Sequence, residues 1–226
     1  MKTALSAIQG IGFTLLLIAT SCVKNDVYQA PIIHEISDEF KAYTVFDSAS
    51  FWVYRNDQNT SLDTVTIVKV LTDKRFHVDY TGAPGFYYNA IELLYQSSRI
   101  GFTKAELTAG SKFDANTIMS ENYRLYFENG RFLSIFTPKF PLGSTQLLGI
   151  NEGNYTNLIV HDTLFLNENQ YFGVYETSVK DYHDGNDTVF MKFYIAQHYG
   201  LIKMTKHSTT IDESWSLVGS SLTQSK

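Results

Sequence analysis

The chain has 226 residues, 44% of them hydrophobic and 18% charged, which argues against a disordered protein. A formal net charge of −5 argues against a nucleic-acid partner and a polybasic membrane patch, since both need clustered cations. One cysteine rules out intramolecular disulfide stapling.

The N-terminus accounts for that cysteine. Lys2 is followed by an apolar stretch that is strongest over Phe13-Thr14-Leu15-Leu16-Leu17-Ile18-Ala19. This has the anatomy of a signal peptide, and the run is too short to span a bilayer. Leu17-Ile18-Ala19-Thr20-Ser21-Cys22 resembles a lipobox, although Gly or Ala does not directly precede the cysteine. The resemblance implies removal of residues 1–21 and acylation of Cys22. Two or more acyl chains on one residue give stable membrane anchoring. Residues 22–30 then form the lipidated tether and residues 31–226 a single domain. No Asp follows Cys22 directly, so an inner-membrane retention signal of the enterobacterial kind is missing. The expected location is the outer membrane of a bacterial envelope, on the periplasmic face or the cell surface. Lys24 and Asp26 resemble the surface-export signals of Bacteroidota lipoproteins.

Ile33, Ile36 and Phe40 recur at helical spacing and predict a short helix before the first strand. From Tyr43 onward the pattern is strand after strand. Phe51-Trp52-Val53-Tyr54 is an aromatic run closed by Asn56-Asp57-Gln58-Asn59. Asp63 to Val70 is β-branched and bounded by Thr72-Asp73, with Arg75 to Tyr80 expected to pair back as a hairpin. Gly82-Ala83-Pro84-Gly85 signals a loop, and Tyr87 to Tyr95 alternates. Asn129-Gly130 predicts a two-residue type I′ turn that pairs Phe127 with Phe132 and Leu125 with Ser134. Further strands are expected at 157–166, 171–179, 188–196, 200–206 and 212–218, with a turn at Asp184-Gly185-Asn186-Asp187. Short polar turns between successive strands predict an all-β fold. The expected architecture is an antiparallel meander curled into a barrel or half-barrel, with a β-sandwich as the alternative. Thr137 to Thr156 reads as a long connection. Its apolar centre, Leu147, Leu148 and Ile150, is expected either to close a barrel mouth or to pack on the sheet.

Phe51-Trp52-Val53-Tyr54-Arg55 and the late Phe193 to Lys203 stretch, with Gly200-Leu201-Ile202-Lys203, resemble uncharacterised Bacteroidota lipoproteins that carry an early Trp-x-Tyr strand. The resemblance implies a β-rich exported domain and no particular activity. Asp47-Ser48-Ala49, Asp63-Thr64-Val65, Asp162-Thr163-Leu164 and Asp187-Thr188-Val189 resemble O-glycosylation acceptors of the same lineage. A turn Asp before β-branched residues also simply begins a strand.

No catalytic constellation, cofactor motif or metal-ligand spacing is visible. His34, His77, His161, His183, His198 and His207 are scattered, and there is no Gly-x-Ser-x-Gly elbow. The carboxylates at Asp181, Asp184 and Asp187 lack EF-hand spacing. The strongest remaining signal is aromatic: 15 Tyr and 16 Phe. Lining a cavity, Trp52, Tyr54 and Tyr126, with Leu147, Leu148 and Ile150, suit a small apolar ligand. In the alternative, the aromatics fill the core and the outer surface contacts an envelope protein or glycan.

Overall fold

A computed structural model describes residues 33–77, 85–109, 111–112, 118–119, 121–149, 153–185 and 187–224. In chain order, β1 (Ile33–His34) and α1 (Asp38–Thr44) precede β2 (Phe51–Asn56), β3 (Leu62–His77), β4 (Phe86–Gln96) and β5 (Phe102–Thr108). The short pair β6 (Ser111–Lys112) and β7 (Ile118–Met119) leads to β8 (Asn122–Phe127) and β9 (Phe132–Phe136). The second half carries β10 (Thr145–Gly149), β11 (Gly153–Leu166), β12 (Asn169–Asp184), β13 (Asp187–Ala196), β14 (Gly200–His207) and β15 (Asp212–Ser221).

Among the described residues the fold is all-β with one short helix. A single antiparallel path runs β10-β11-β12-β13-β14-β15-β2-β3-β4-β5-β8-β9 and curls into a half-barrel. β15 pairs with β2, so two sequential meanders join into one sheet, and β1 adds to β4 in parallel. Strict alternation sets the inner face: Trp52, Tyr54, Val65 and Ile67 are buried while their sequence neighbours are more exposed. Register shifts between Ile67 and Lys69, between Tyr194 and Ile195, and between Leu217 and Gly219 mark bulges. Bulges bend strands and raise local twist, which curls a sheet this wide.

The open side of the curl is sealed by side chains. β9 is an end strand of the hydrogen-bonded ladder, yet it does not present a bare edge. Thr177 Oγ1 donates to Ile135 O at 2.7 Å, and Thr137 N donates to Tyr155 Oη at 3.0 Å. Asn157 Nδ2 donates to Thr137 O at 2.9 Å and to Phe140 O at 2.7 Å. Tyr155, Asn157 and Thr177 are fully buried, so these contacts satisfy polar groups that would otherwise lie unpaired in the interior.

α1 plugs one end of the curl. Ser37 caps it, its Oγ accepting from Phe40 N at 3.2 Å, and Asp38 and Glu39 lie in the first turn, where the helix dipole favours negative charge. Both Ser37 N and Ser37 Oγ donate to the buried Glu121 carboxylate. The other end of the helix is held by the chain's own tail: Gln224 Nε2 donates to Ala42 O at 3.2 Å and Val45 O at 3.0 Å. Phe40 stacks on Phe136 at 5.7 Å, and Tyr43 and Phe136 meet Tyr175 edge-on at 5.5 and 5.0 Å.

Three local expectations change. The β8–β9 hairpin is not closed by a type I′ turn. Gly130 N donates to Phe127 O and Phe127 N to Arg131 O, both at 2.9 Å, and within the turn only Gly130 has positive φ, +76°. A three-residue turn ending in left-handed glycine pairs Leu125 with Leu133 and Tyr126 with Phe132. The one-residue slip pairs Phe132 with Tyr126 on the outer face and Leu133 with Leu125 on the buried one. Secondly, Thr72-Asp73 ends nothing: β3 runs through it to His77 against β4. Thirdly, the stretch expected to be a long connection contains β10, which pairs with β11.

Candidate functional site

Trp52 and Tyr54 point inward from β2 and are core residues, 4% and 3% exposed. Their polar tips are used internally. Trp52 Nε1 donates to Tyr199 O at 2.6 Å, and Tyr54 Oη donates to Leu201 O at 2.7 Å. Tyr126 lies on the other face of the sheet, half-buried under Lys104, whose Nζ sits 4.3 Å from the ring centre. Trp52 and Tyr54 are therefore not brought together with Tyr126. Leu147 and Leu148 belong to β10, while Ile150 and Cys22 lie outside the described residues.

Burial governs the phenols near Trp52. Tyr54 and Tyr95 are pushed well above the ordinary tyrosine value by desolvation, and Tyr123 is pushed up to about 12. Tyr95 and Tyr123 share a hydrogen bond at 3.2 Å. These hydroxyls stay neutral at every physiological pH and act as fixed hydrogen-bonding groups.

A cleft of about 260 Å³ lies at the end of the half-barrel away from α1. Met191, Met204, Trp215 and Tyr182, all buried residues, form its floor. Asp184 and Lys206 stand on its rim, paired at 2.7 Å, and Arg131 from the β8–β9 turn reaches Asp184 at 3.3 Å and His183 O. That cluster ties the hairpin to the β12–β13 turn and completes the seam at this end.

The rest of the cleft wall is positioned by Asp63 at the start of β3. Its carboxylate accepts from Ser97 Oγ at 2.7 Å, Ser98 Oγ at 2.7 Å and the backbone N–H groups of Ser98, Arg99 and Ile100 at 2.9, 3.1 and 2.8 Å. Burial alone would raise the Asp63 pKa, but these donors outweigh it and hold the carboxyl down at about 2. The sequence signals Asp63 as a strand-opening Asp and as the first residue of a glycosylation-like Asp-Thr-Val triplet, not as a cap. Its partners lie more than thirty positions along the chain, and nothing local announces them. Met191, Met204 and Trp215 likewise read as ordinary alternating strand residues.

The outer face of β3, β4, β5, β8 and β9 carries a continuous charged and aromatic network. Arg75 bridges Glu92 at 2.8 Å and Glu106 at 2.7 Å, and Lys104 reaches Glu92 at 3.3 Å. Arg124 covers Phe132 at 4.6 Å as Lys104 covers Tyr126. Elsewhere on the sheet His161 meets Glu176 at 3.1 Å beside Lys192. Burial opposes ionisation of Glu176, but its bonds to Lys192 and His161 prevail and lower its pKa. Among the described residues, no three His, Cys, Asp or Glu side chains stand together as a metal site.

No family model, curated protein or solved structure matches the chain.

Proposed function

We propose that this chain is an outer-membrane lipoprotein, held by acyl chains on Cys22, whose curled β body is an interaction module rather than a carrier. The observation that supports this best is the satisfied interior. α1 is seated in the curl, and the tips of Trp52 and Tyr54 are spent on β14 and the turn before it. A carrier needs a vacant apolar volume, and drug-sized ligands take roughly 300–1,000 Å³. Two half-buried rings instead lie on the outer face, Tyr126 and Phe132 with their cations, where rings and charges suit a protein or glycan contact. A photoreactive phenylalanine analogue placed at Phe132 in the native envelope is expected to yield one recurrent adduct. Scattered adducts without a recurrent species would contradict this reading.

A second reading rests on the cleft at the end away from α1. Its Met191, Met204 and Trp215 floor beneath a charged rim suits a small apolar group carrying a polar head. It places the ligand at the mouth of the half-barrel, not along its axis.

A further inference from the structure

β3 and β4 extend together well past the end of β5, to His77 and Phe86, and form an arm on the sheet. Among the described residues β1 pairs with this arm alone: Ile33 pairs with Tyr87 and His34 with Tyr88. Tyr87 in turn pairs with Phe76. Because paired residues share a face, Phe76, Tyr87 and Ile33 make one lateral row across three strands. The row is open to solvent, with Phe76 51% and Ile33 41% exposed, and Phe76 lies 4.8 Å from the Tyr87 ring. Lys74, on the same face, places its Nζ 4.7 Å over Tyr87. An apolar row of this kind on a charged protein calls for an occupant.

We infer that the occupant is the bilayer surface that holds Cys22, an inference that rests on the lipid-anchor reading above. The described residues begin at Ile33, within the row itself. From Cys22 to Ile33 even a fully extended chain reaches at most about 40 Å. The arm is therefore the part of the body on the shortest leash to the membrane. Its chemistry fits the interface: aromatic rings seat at headgroup depth, and a lysine lying over one of them extends its ammonium toward phosphates. The more exposed Phe165 and Phe172 do not compete for this role. They sit on the β11–β12 hairpin, whose tip Asn167 is bonded to Arg55 and to Leu217 O, far from β1 in the sheet order. The arm contact orients the body. Asp63, which holds the cleft wall, opens the same strand that ends in Phe76 and His77, about 40 Å further on. With the arm on the bilayer, the cleft faces away from it.

The test uses the full chain, processed in a lipoprotein-exporting host and reconstituted into phosphatidylethanolamine/phosphatidylglycerol vesicles with or without brominated acyl chains. Two variants, F76W and F165W, are compared with the parent, whose Trp52 and Trp215 are buried and supply a common baseline. Intact mass first establishes acylation. In acylated, vesicle-bound protein, the added emission of F76W is expected to shift to the blue and to be quenched by brominated lipid, while that of F165W stays red and unquenched. Acylated F76W whose added emission is unquenched, or quenching alike in the two variants, overturns the arm contact and leaves the anchor intact. A concentration-dependent blue shift of F76W without vesicles overturns it in favour of a second copy. Absence of acyl mass overturns the anchor reading itself, and the inference with it.

Discussion

The aromatics of β2 and those of the β3–β4 arm have the same chemistry and opposite surroundings. Trp52 and Tyr54 face the interior of the curled sheet, with Trp52 edge-on to Phe46 at 5.1 Å, so each ring is covered and each polar tip reaches a backbone carbonyl. Phe76 and Tyr87 sit where β5 has already ended, so among the described residues only β1 flanks their strand pair, and Phe76 stays half in solvent. What separates a core aromatic from a surface one in this protein is the number of strands on either side, which composition does not encode. The contrast makes the β2 end the source of stability and the arm a surface that stability can spare.

Deleting the plug tests this most severely. Phe40→Ala removes a fully buried ring between α1 and β9 and is expected to cost about 3–5 kcal/mol in urea unfolding. Asp63→Ala strips the acceptor from three backbone N–H groups and two hydroxyls and is expected to cost about 2–3 kcal/mol. The same carboxylate sets an acid limit. Its folded pKa of about 2 lies below the unfolded value of about 3.9, so its contribution is complete above about pH 4 and declines as pH falls toward 2. Parent stability should fall across that window, and the fall should be shallower in Asp63→Ala. Tyr54→Phe keeps the ring and loses only the bond to Leu201 O, for about 1 kcal/mol. Phe76→Ser at the arm should change unfolding free energy by less than about 0.5 kcal/mol. A loss comparable to that of Phe40→Ala would show the arm to be part of the core and erase the contrast.

Much of the sheet was legible because strand signals are local: β-branched runs, alternating rings and Gly- or Asn-containing turns. Even the short helix announced itself through Ile33, Ile36 and Phe40, though Ile33 ends in β1 and α1 begins only at Asp38. What misled was equally specific. Asn129-Gly130 fits two turn types, and the one adopted uses a single left-handed residue, which shifts the pairing by one and moves Phe132 to the outside. Thr72-Asp73 looks like a turn, yet as exposed positions on a long strand both residues are tolerated there. The seam among Thr137, Tyr155, Asn157 and Thr177 and the Asp63 cap join residues distant along the chain, so no periodicity exposes them. The aromatic site fails to assemble for the same reason. Trp52 and Tyr126 are each legible as strand aromatics, but only the curl decides which face of the sheet becomes the interior.

The central claim is that the half-barrel is filled by its own side chains and carries no stored ligand. Native mass spectrometry of the gently purified chain tests it most directly. The account predicts the covalent mass of the polypeptide, with any acyl chains it carries, and no further non-covalent species. A lipid-sized adduct that disappears on denaturation would contradict it and move the function to the interior.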